Sequence, residues 1–360
     1  MKDRIYICHT YYHAYISFLK EFYIREKEAK EGKTHSEASI VLSRLSNNFE
    51  NSKERYKASG VFAEVFDFDE RREDSYPELD KLRQPGNIIK NLFNRMRLMS
   101  EFSKATESVV DIDYKEYKDI YVFCDMDPIG IYLTKHKIPY HAVEDGLNTL
   151  KYIDLARFQD RKLFKLKRFL SKKLNLIFMP NGLAKYCIDM EVNDLSEIKY
   201  PCKNYVELSR KMLSDRLTAD EKKILLKAFI KDYESLKDQI DEMGDEDKIL
   251  ILTDPLCSLD IREQIFKDII KMYEPEGRIF LKPHPRDVLD YDALFPDYPK
   301  IDASVPMEIL NLFDNLHFKK AVGVLTEMKA ITFADEAVRL GADFMDKYEA
   351  PEIHRQNESI

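Results

Sequence analysis

His284 stands between two prolines in the stretch Gly277 to Asp287, GRIFLKPHPRD, with Lys282 and Arg286 two residues away on either side. Proline fixes its own φ and restricts the residue before it, so the imidazole is presented rigidly. The apolar run Arg278 to Lys282 predicts a short buried parallel strand. The carboxyl end of such a strand is where open α/β sheets bind ligands. An imidazole flanked by two cations suits an anionic ligand. The plainer alternative is a strand end closed by a capping histidine. Other polar residues occupy comparable places. Asp260 opens a helix after KILILTDPL, Glu144-Asp145-Gly146 follows a short apolar run, Glu308 follows Pro306 at a helix start, and Thr326 ends the run KAVGVL. Each also has a plain structural role: an N-cap for Asp260 and Thr326, a turn for Asp145-Gly146, and a first-turn acid favoured by the helix dipole for Glu308.

Alternating strands and helices must position these groups. The sequence predicts strands over Arg4–His9, Ala38–Ser43, Gly60–Phe68, Asp119–Cys124 and Pro139–Val143, with helices between them over Tyr12–Ala29, around Asn47–Lys57, from Asn87 to about Val110, and over Pro128–Lys137. In the long helix Ile88, Ile89, Leu92, Phe93, Met96, Met99 and Phe102 fall at helical spacing. A charged loop from Asp69 to Gly86, closing on Pro85-Gly86, precedes it. In the second half a strand is expected at Asn175–Met179 and a long helix over Thr218–Met243, opened by the capping pair Thr218/Glu221 and ended by Gly244. Strands at Lys248–Thr253, Arg278–Lys282, Tyr298–Ser304 and Lys320–Leu325 follow, with helices from Ile261 to Tyr273, from Pro306 to about Phe313 and around Lys329–Phe333. Such alternation implies parallel, doubly wound sheets. Two Rossmann-like domains facing a cleft are expected, over residues 1–155 and 156–360, the GT-B arrangement of many nucleotide-sugar transferases.

Several chemistries lose their support. There is no GxxxxGK[ST] loop and no GxGxxG. Asp125-Met126-Asp127 has the letters of a metal–diphosphate motif, but Pro128 makes Asp127 a helix N-cap instead. A net charge of −8 argues against general nucleic-acid binding. The five cysteines include no CxxC pair and read as reduced thiols, neither a disulfide framework nor a zinc site. No signal peptide and no bilayer-spanning run is visible, so a cytoplasmic location is the expectation. Arg157 to Lys173 (RFQDRKLFKLKRFLSKK) interleaves Phe and Leu with many Lys and Arg. It is either a connecting helix with a solvated basic face or a helix that lies on an anionic membrane, placing the protein peripherally on the inner face.

IYICHTYYHAY near the N-terminus, EDG, ILTDPLCSLD, KPHPRD, the P-x-E of Pro306 to Glu308 and the strand ending GVLT resemble, in order and spacing, the bacterial sialyltransferases of glycosyltransferase family 52. The resemblance runs from about Arg4 to Thr326. It implies a GT-B fold and an inverting transfer of sialic acid from CMP-sialic acid, most often to a terminal galactose of lipooligosaccharide or capsule. The sequence differs from the family at Asp254, where glutamine is common, and at Glu327, where a second small hydroxyl residue often stands.

What the resemblance implies for the site follows residue by residue. His284 matches the histidine that assists the leaving phosphate, with Lys282 and Pro283 beside it. Asp260 matches an aspartate suited to act as general base, and Asp145, in the acidic-acidic-Gly motif of related sialyltransferases, is the other candidate for that role. Glu308 would accept from ribose hydroxyls, Pro255 and Leu256 would bring backbone to the cytosine, and Thr326 would donate to the phosphate. His9, Thr10, His13 and Glu144 would line the acceptor side, with the first domain on the acceptor side and the second on the donor side. A single leaving phosphate can be stabilised without a metal, so no cofactor is expected. Two other functions stay open: a hexosyltransferase using a UDP-sugar, and a non-catalytic glycan-binding protein of the same fold. A homodimer is also left open.

Overall fold

The apolar runs of the sequence become parallel strands in two separate sheets of a computed structural model that describes residues 2–49, 52–71, 75–84, 86–241 and 247–354. The chain divides into two compact units, Met1–Thr218 and Ala219–Ile360. In the first, β1 (Lys2–Cys8), β2 (Ala38–Ser43), β3 (Glu64–Phe68), β4 (Tyr117–Phe123), β5 (Tyr140–Val143), β6 (Cys187–Val192) and β7 (Tyr205–Glu207) form a sheet ordered β3-β2-β1-β4-β5-β6-β7. In the second, β8 (Lys248–Leu252), β9 (Arg278–Lys282), β10 (Phe318–Gly323) and β11 (Ala334–Arg339) are ordered β11-β10-β8-β9. Every neighbouring pair is parallel.

Central strands are covered on both faces, which is why they read as continuous Val/Ile/Leu runs. All of β2 and all of β8 is buried. Ile249, Leu250 and Ile251 have no exposed surface, and burying each such side chain contributes about 1.5–3 kcal/mol. Three helices of the first unit bear on the site. In the first unit α1 (Tyr11–Lys30) starts at the end of β1, with Thr10 as its N-cap accepting from the His13 N–H. In the same unit α2 (Ile88–Glu107) is capped by Asn87, which accepts from the Lys90 N–H. Then α3 (Pro128–Lys135) opens on Asp127 and Pro128, as expected, although the Asp127 side chain makes no capping bond there. Gly130 lets α3 approach the preceding loop. A Cβ there would sit 1.9 Å from the Asp125 carbonyl oxygen.

The seam between units lies at Thr218/Ala219 and not after residue 155. The physical reason is that β6 and β7 extend the first sheet beyond β5. Both are short and mixed in polarity, CIDMEV and YVE, so they carry no strand signal. Asn175–Met179 forms no strand and packs as a turn-rich segment. The basic segment is split: a short helix Leu155–Gln159, then α4 (Phe164–Lys172), with Leu163 between them at a φ of 59°. The long second-half helix is also two, α5 (Ala219–Phe229) and α6 (Tyr233–Asp241), because Asp232 accepts from the Ser235 N–H and starts a new helix. Its expected end at Met243 and Gly244 lies outside the described residues, as does Pro85. Last in this series, α7 (Leu259–Tyr273) runs as expected. Tyr298–Ser304 contributes a single bridge, Leu281 to Lys300. No helix forms around Lys329–Phe333; after Thr326 the chain turns and enters β11. Of the apolar residues expected on one face of α2, only Met99 and Phe102 are buried, and Ile88, Ile89 and Phe93 stand exposed.

Candidate functional site

The second unit gathers polar groups at the carboxyl ends of β8, β9 and β10. The Thr253 N–H donates to the Lys282 carbonyl at 3.1 Å, extending the β8–β9 ladder by one step. The Thr253 hydroxyl then accepts from the His284 N–H at 3.0 Å. The Arg286 N–H donates to His284 Nδ1 at 3.1 Å, which leaves Nε2 to carry the ring proton. No hydrogen bond to Nε2 is made among the described residues. Burial and the neighbouring Arg286 and Lys282 push the ring down to about 4. His284 is therefore a neutral imidazole whose Nε2–H is not used by its own loop: a hydrogen-bond donor rather than a proton donor at neutral pH.

Lys282 is buried, and its Nζ donates to the Pro283 and Ala303 carbonyls at 3.1 Å each. Burial lowers it to about 8, against the opposing pull of Asp302 and Glu308. Glu308 sits in the first turn of the short helix Met307–Leu310. Its carboxyl is pushed up by burial, while its own backbone N–H and Lys282 favour the ionised form. Asp254 joins the ends of β8 and β10. It accepts from the Leu325 N–H at 3.0 Å and from the Thr326 hydroxyl at 2.9 Å, and burial raises its carboxyl. The Thr326 proton is thus engaged by Asp254. The structure brings His284, Lys282, Asp254 and Thr326 to neighbouring strand ends, and Glu308, on its short helix, within electrostatic reach of Lys282.

Asp260 is in the first turn of α7, exposed, with Ser258 at the N-cap position. A hydrogen bond from Ser258 and the first-turn N–H groups hold its carboxyl below the usual range, so it is ionised. Pro255 is exposed, and the Leu256 N–H donates to the Asp254 carbonyl at 2.7 Å.

The first unit has a different arrangement at the ends of β1, β3, β4 and β5. His9 is buried, with Nε2 at 2.8 Å from Glu70 and Nδ1 at 3.4 Å from Asp127. Burial opposes its charge, but Asp127 and Glu70 outweigh it and hold the imidazolium up to about 9. Glu70 is a hub: it also accepts from the Ser43 hydroxyl and from the Ile129 N–H in the first turn of α3. His13 is buried and stacked on Phe123, ring centroids 4.5 Å apart. Its Nδ1 accepts from the His9 N–H, so Nε2–H donates to the carbonyl and the carboxylate of Asp145, at 2.8 and 2.9 Å. Burial lowers the His13 pKa, against Asp145. Asp145 itself is half exposed. Glu144 is buried and accepts from the Leu150 and Asn193 N–H groups, both at 2.9 Å. Asp125 is pinned in the same way, by the Asn181 and Gly182 N–H groups at 2.7 and 3.0 Å, and burial raises it to about 6. Among the described residues no group of three or more His, Cys, Asp or Glu side chains is placed to hold a metal ion.

Sequence reasoning missed Glu70, Arg262 and Asp287. Glu70 hides in a charged loop after β3, where acids are ordinary. Arg262 is one cation on an amphipathic helix. Asp287 closes the KPHPRD motif itself, which was its only signal.

The model of glycosyltransferase family 52 matches residues 80–334. A Haemophilus influenzae protein described as uncharacterized is 24% identical over 208 residues, 56% of this chain and 61% of that one, so the match spans less than two thirds of the relative. Among solved structures, a 2,6-sialyltransferase of Photobacterium sp. JT-ISH-224, in ternary complex with the donor product CMP and the acceptor lactose, superposes with a TM-score of 0.53 at 10% identity, over 93% of this chain and 71% of the other. A sialyltransferase from Photobacterium damsela does so at 0.50 and 13%, over 93% and 73%. The fold is that of the GT-B glycosyltransferases, and the chain belongs to glycosyltransferase family 52.

Proposed function

We propose that the protein is an inverting sialyltransferase that moves sialic acid from CMP-sialic acid to a terminal galactose, or a similar sugar, of a bacterial surface glycan such as lipooligosaccharide or capsule. The observation that carries this reading is the state of His284: a neutral ring, held by its own loop, with Nε2–H left to donate. In this reading the phosphate of CMP lies against that N–H, with the cationic Lys282 behind it. The acceptor hydroxyl loses its proton to Asp260 and its oxygen attacks the anomeric carbon. The bond from that carbon to the CMP phosphate oxygen breaks on the opposite face, so configuration inverts. The electron pair leaves with the phosphate, where the His284 hydrogen bond strengthens as charge develops. Asp145 is the second candidate base, held by His13. Glu308, Pro255 and Leu256 are assigned to the nucleotide, and the first unit to the acceptor; Thr326 would donate to the phosphate only by giving up its bond to Asp254. The relative solved with CMP and lactose supports this pairing of ligands. No metal takes part in the step as proposed, and transfer should persist in EDTA.

A thermal-shift comparison of nucleotides tests the donor. A ligand that binds only the native state raises the melting temperature. Stabilisation by CMP and not by UDP agrees with the proposal. Stabilisation by UDP alone would replace it with a hexosyl transfer from a UDP-sugar, and no shift with either, together with glycan binding, would point to a non-catalytic glycan binder.

The basic segment is assigned to an anionic membrane surface, with the protein peripheral on its inner face. Phe158, Leu163, Leu166 and Phe169 are each about half exposed, and Arg95 of α2 and Lys167 of α4 share the buried carboxylate of Asp160. That shared acid ties α4 to α2, whose Ile88, Ile89 and Phe93 are also exposed. No helix among the described residues is long and apolar enough to cross a membrane.

A further inference from the structure

We propose that Arg262 and Asp287 form a buried clamp that locks the His284 loop to the loop after β8, making them positioning residues for the donor phosphate site; the inference rests on the nucleotide-binding reading above. The Arg262 guanidinium uses all three of its nitrogens. Nε donates to the Leu256 carbonyl at 2.6 Å, Nη2 to the Cys257 carbonyl at 2.9 Å, and Nη1 to Asp287 Oδ1 at 2.5 Å. The side chains of Arg262 and Asp287 are 8% and 0% exposed, so the pair is fixed and not screened by water.

Asp287 distributes the constraint. Its carboxylate also accepts from the Tyr291 hydroxyl at 2.7 Å, from the Leu289 N–H at 3.1 Å and from the Thr253 hydroxyl at 3.4 Å. Its own N–H donates to the His284 carbonyl at 2.9 Å, closing the turn in which the Arg286 N–H reaches His284 Nδ1. The Thr253 hydroxyl in turn accepts from the His284 N–H. One carboxylate thus reaches the strand end below His284 and the turn after it. On the other side, Cys257 holds a φ of 39°, a conformation that a residue with a Cβ adopts only where its surroundings impose it. Arg262 donates to the carbonyl of this same residue and so holds it in that conformation. A planar guanidinium can make three such bonds in fixed directions, and an ammonium cannot.

The geometry assigns the clamp a job beyond holding the fold: it sets the turn that makes His284 Nδ1 an acceptor, and so decides which ring nitrogen carries the proton. Removing one partner leaves a buried charge and can unfold the unit, so the informative variant replaces both, R262M/D287L, beside the single R262K. The readouts are the ring nitrogen shifts of His284 in the ligand-free protein and the affinity for CMP. We expect the wild type to show the single Nε2–H form. Both variants should fold, show a mixture of the two ring forms and bind CMP roughly 10- to 100-fold more weakly, as expected for losing one preorganised donor. A folded double variant with an unchanged His284 spectrum would overturn the proposal, whatever its affinity for CMP. Failure of the double variant to fold would assign the pair to the fold alone and overturn it too. If the wild type binds no CMP, the nucleotide reading fails while the spectrum still decides the clamp.

Discussion

His9 and His284 each follow a buried parallel strand at its carboxyl end, yet they end in opposite states. His9 has two acids beside it and is held protonated, up to about 9. His284 has Arg286 and Lys282 beside it, is pushed down to about 4, and stays neutral. The first-unit histidine is spent on the scaffold, since Glu70 ties it to β2 and to the start of α3. The second-unit histidine keeps a donor to offer. A strand-end histidine is thus informative only when the charges around it are known, because neighbours and burial decide whether it binds an anion or an acid.

Substitutions can break this contrast. The largest effect is expected at the base: Asp260→Asn should lower kcat by about 10²–10⁴-fold, whereas Asp145→Asn should mainly raise KM for the acceptor. Reversed outcomes in steady-state assays would move the base to the first unit. Next, His284→Ala should cost about 10²–10³-fold in kcat/KM, the usual loss for one preorganised donor, with His284→Gln recovering part of it through its own N–H. Full activity in His284→Ala would remove the second unit's histidine from the account.

A stability measurement probes the other side of the comparison. The folded pKa of His9, about 9, lies above its unfolded value near 6.5, so its contribution is fully present below pH 6.5 and lost as pH rises through about 9. The difference corresponds to about 3 kcal/mol. Urea unfolding should therefore show the wild type losing stability from pH 6.5 to 9.5, and His9→Gln losing much less over that range. Parallel slopes would contradict the assignment. For His284 the folded value lies below the unfolded one, so its effect has the opposite sign and falls between about pH 4 and 6.5. The smallest expected effect is at the membrane. Phe169→Glu should weaken binding to anionic vesicles at low salt about tenfold, in line with the loss of one partly buried aromatic side chain.

The two regions also differ in how much the sequence discloses. KPHPRD packs its histidine, its cations and Asp287 into six consecutive residues, and the apolar run before it makes the strand legible. The first-unit cluster draws on His9, Glu70, Asp127 and Asp145, from four strand ends, and only tertiary pairing brings them together. Long buried strands such as β2 and β8 are readable because both faces are apolar. Edge strands β7 and β11 are not, since exposed residues dominate them. The exposed face of α2 shows the converse error. Helical spacing of apolar residues identifies the helix but not what covers it, and Ile88 and Phe93 remain in contact with solvent. Glu144 was legible as a motif residue, but its two backbone partners, six and 49 positions away, were not.

The most direct measurement is a transfer assay with CMP-sialic acid and a galactoside such as lactose in the presence of EDTA, following CMP release and the anomeric configuration of the product. The account predicts stoichiometric CMP and a sialylated galactoside of inverted configuration, lost in His284→Ala. Transfer of a hexose from a UDP-sugar with no turnover of CMP-sialic acid would contradict it.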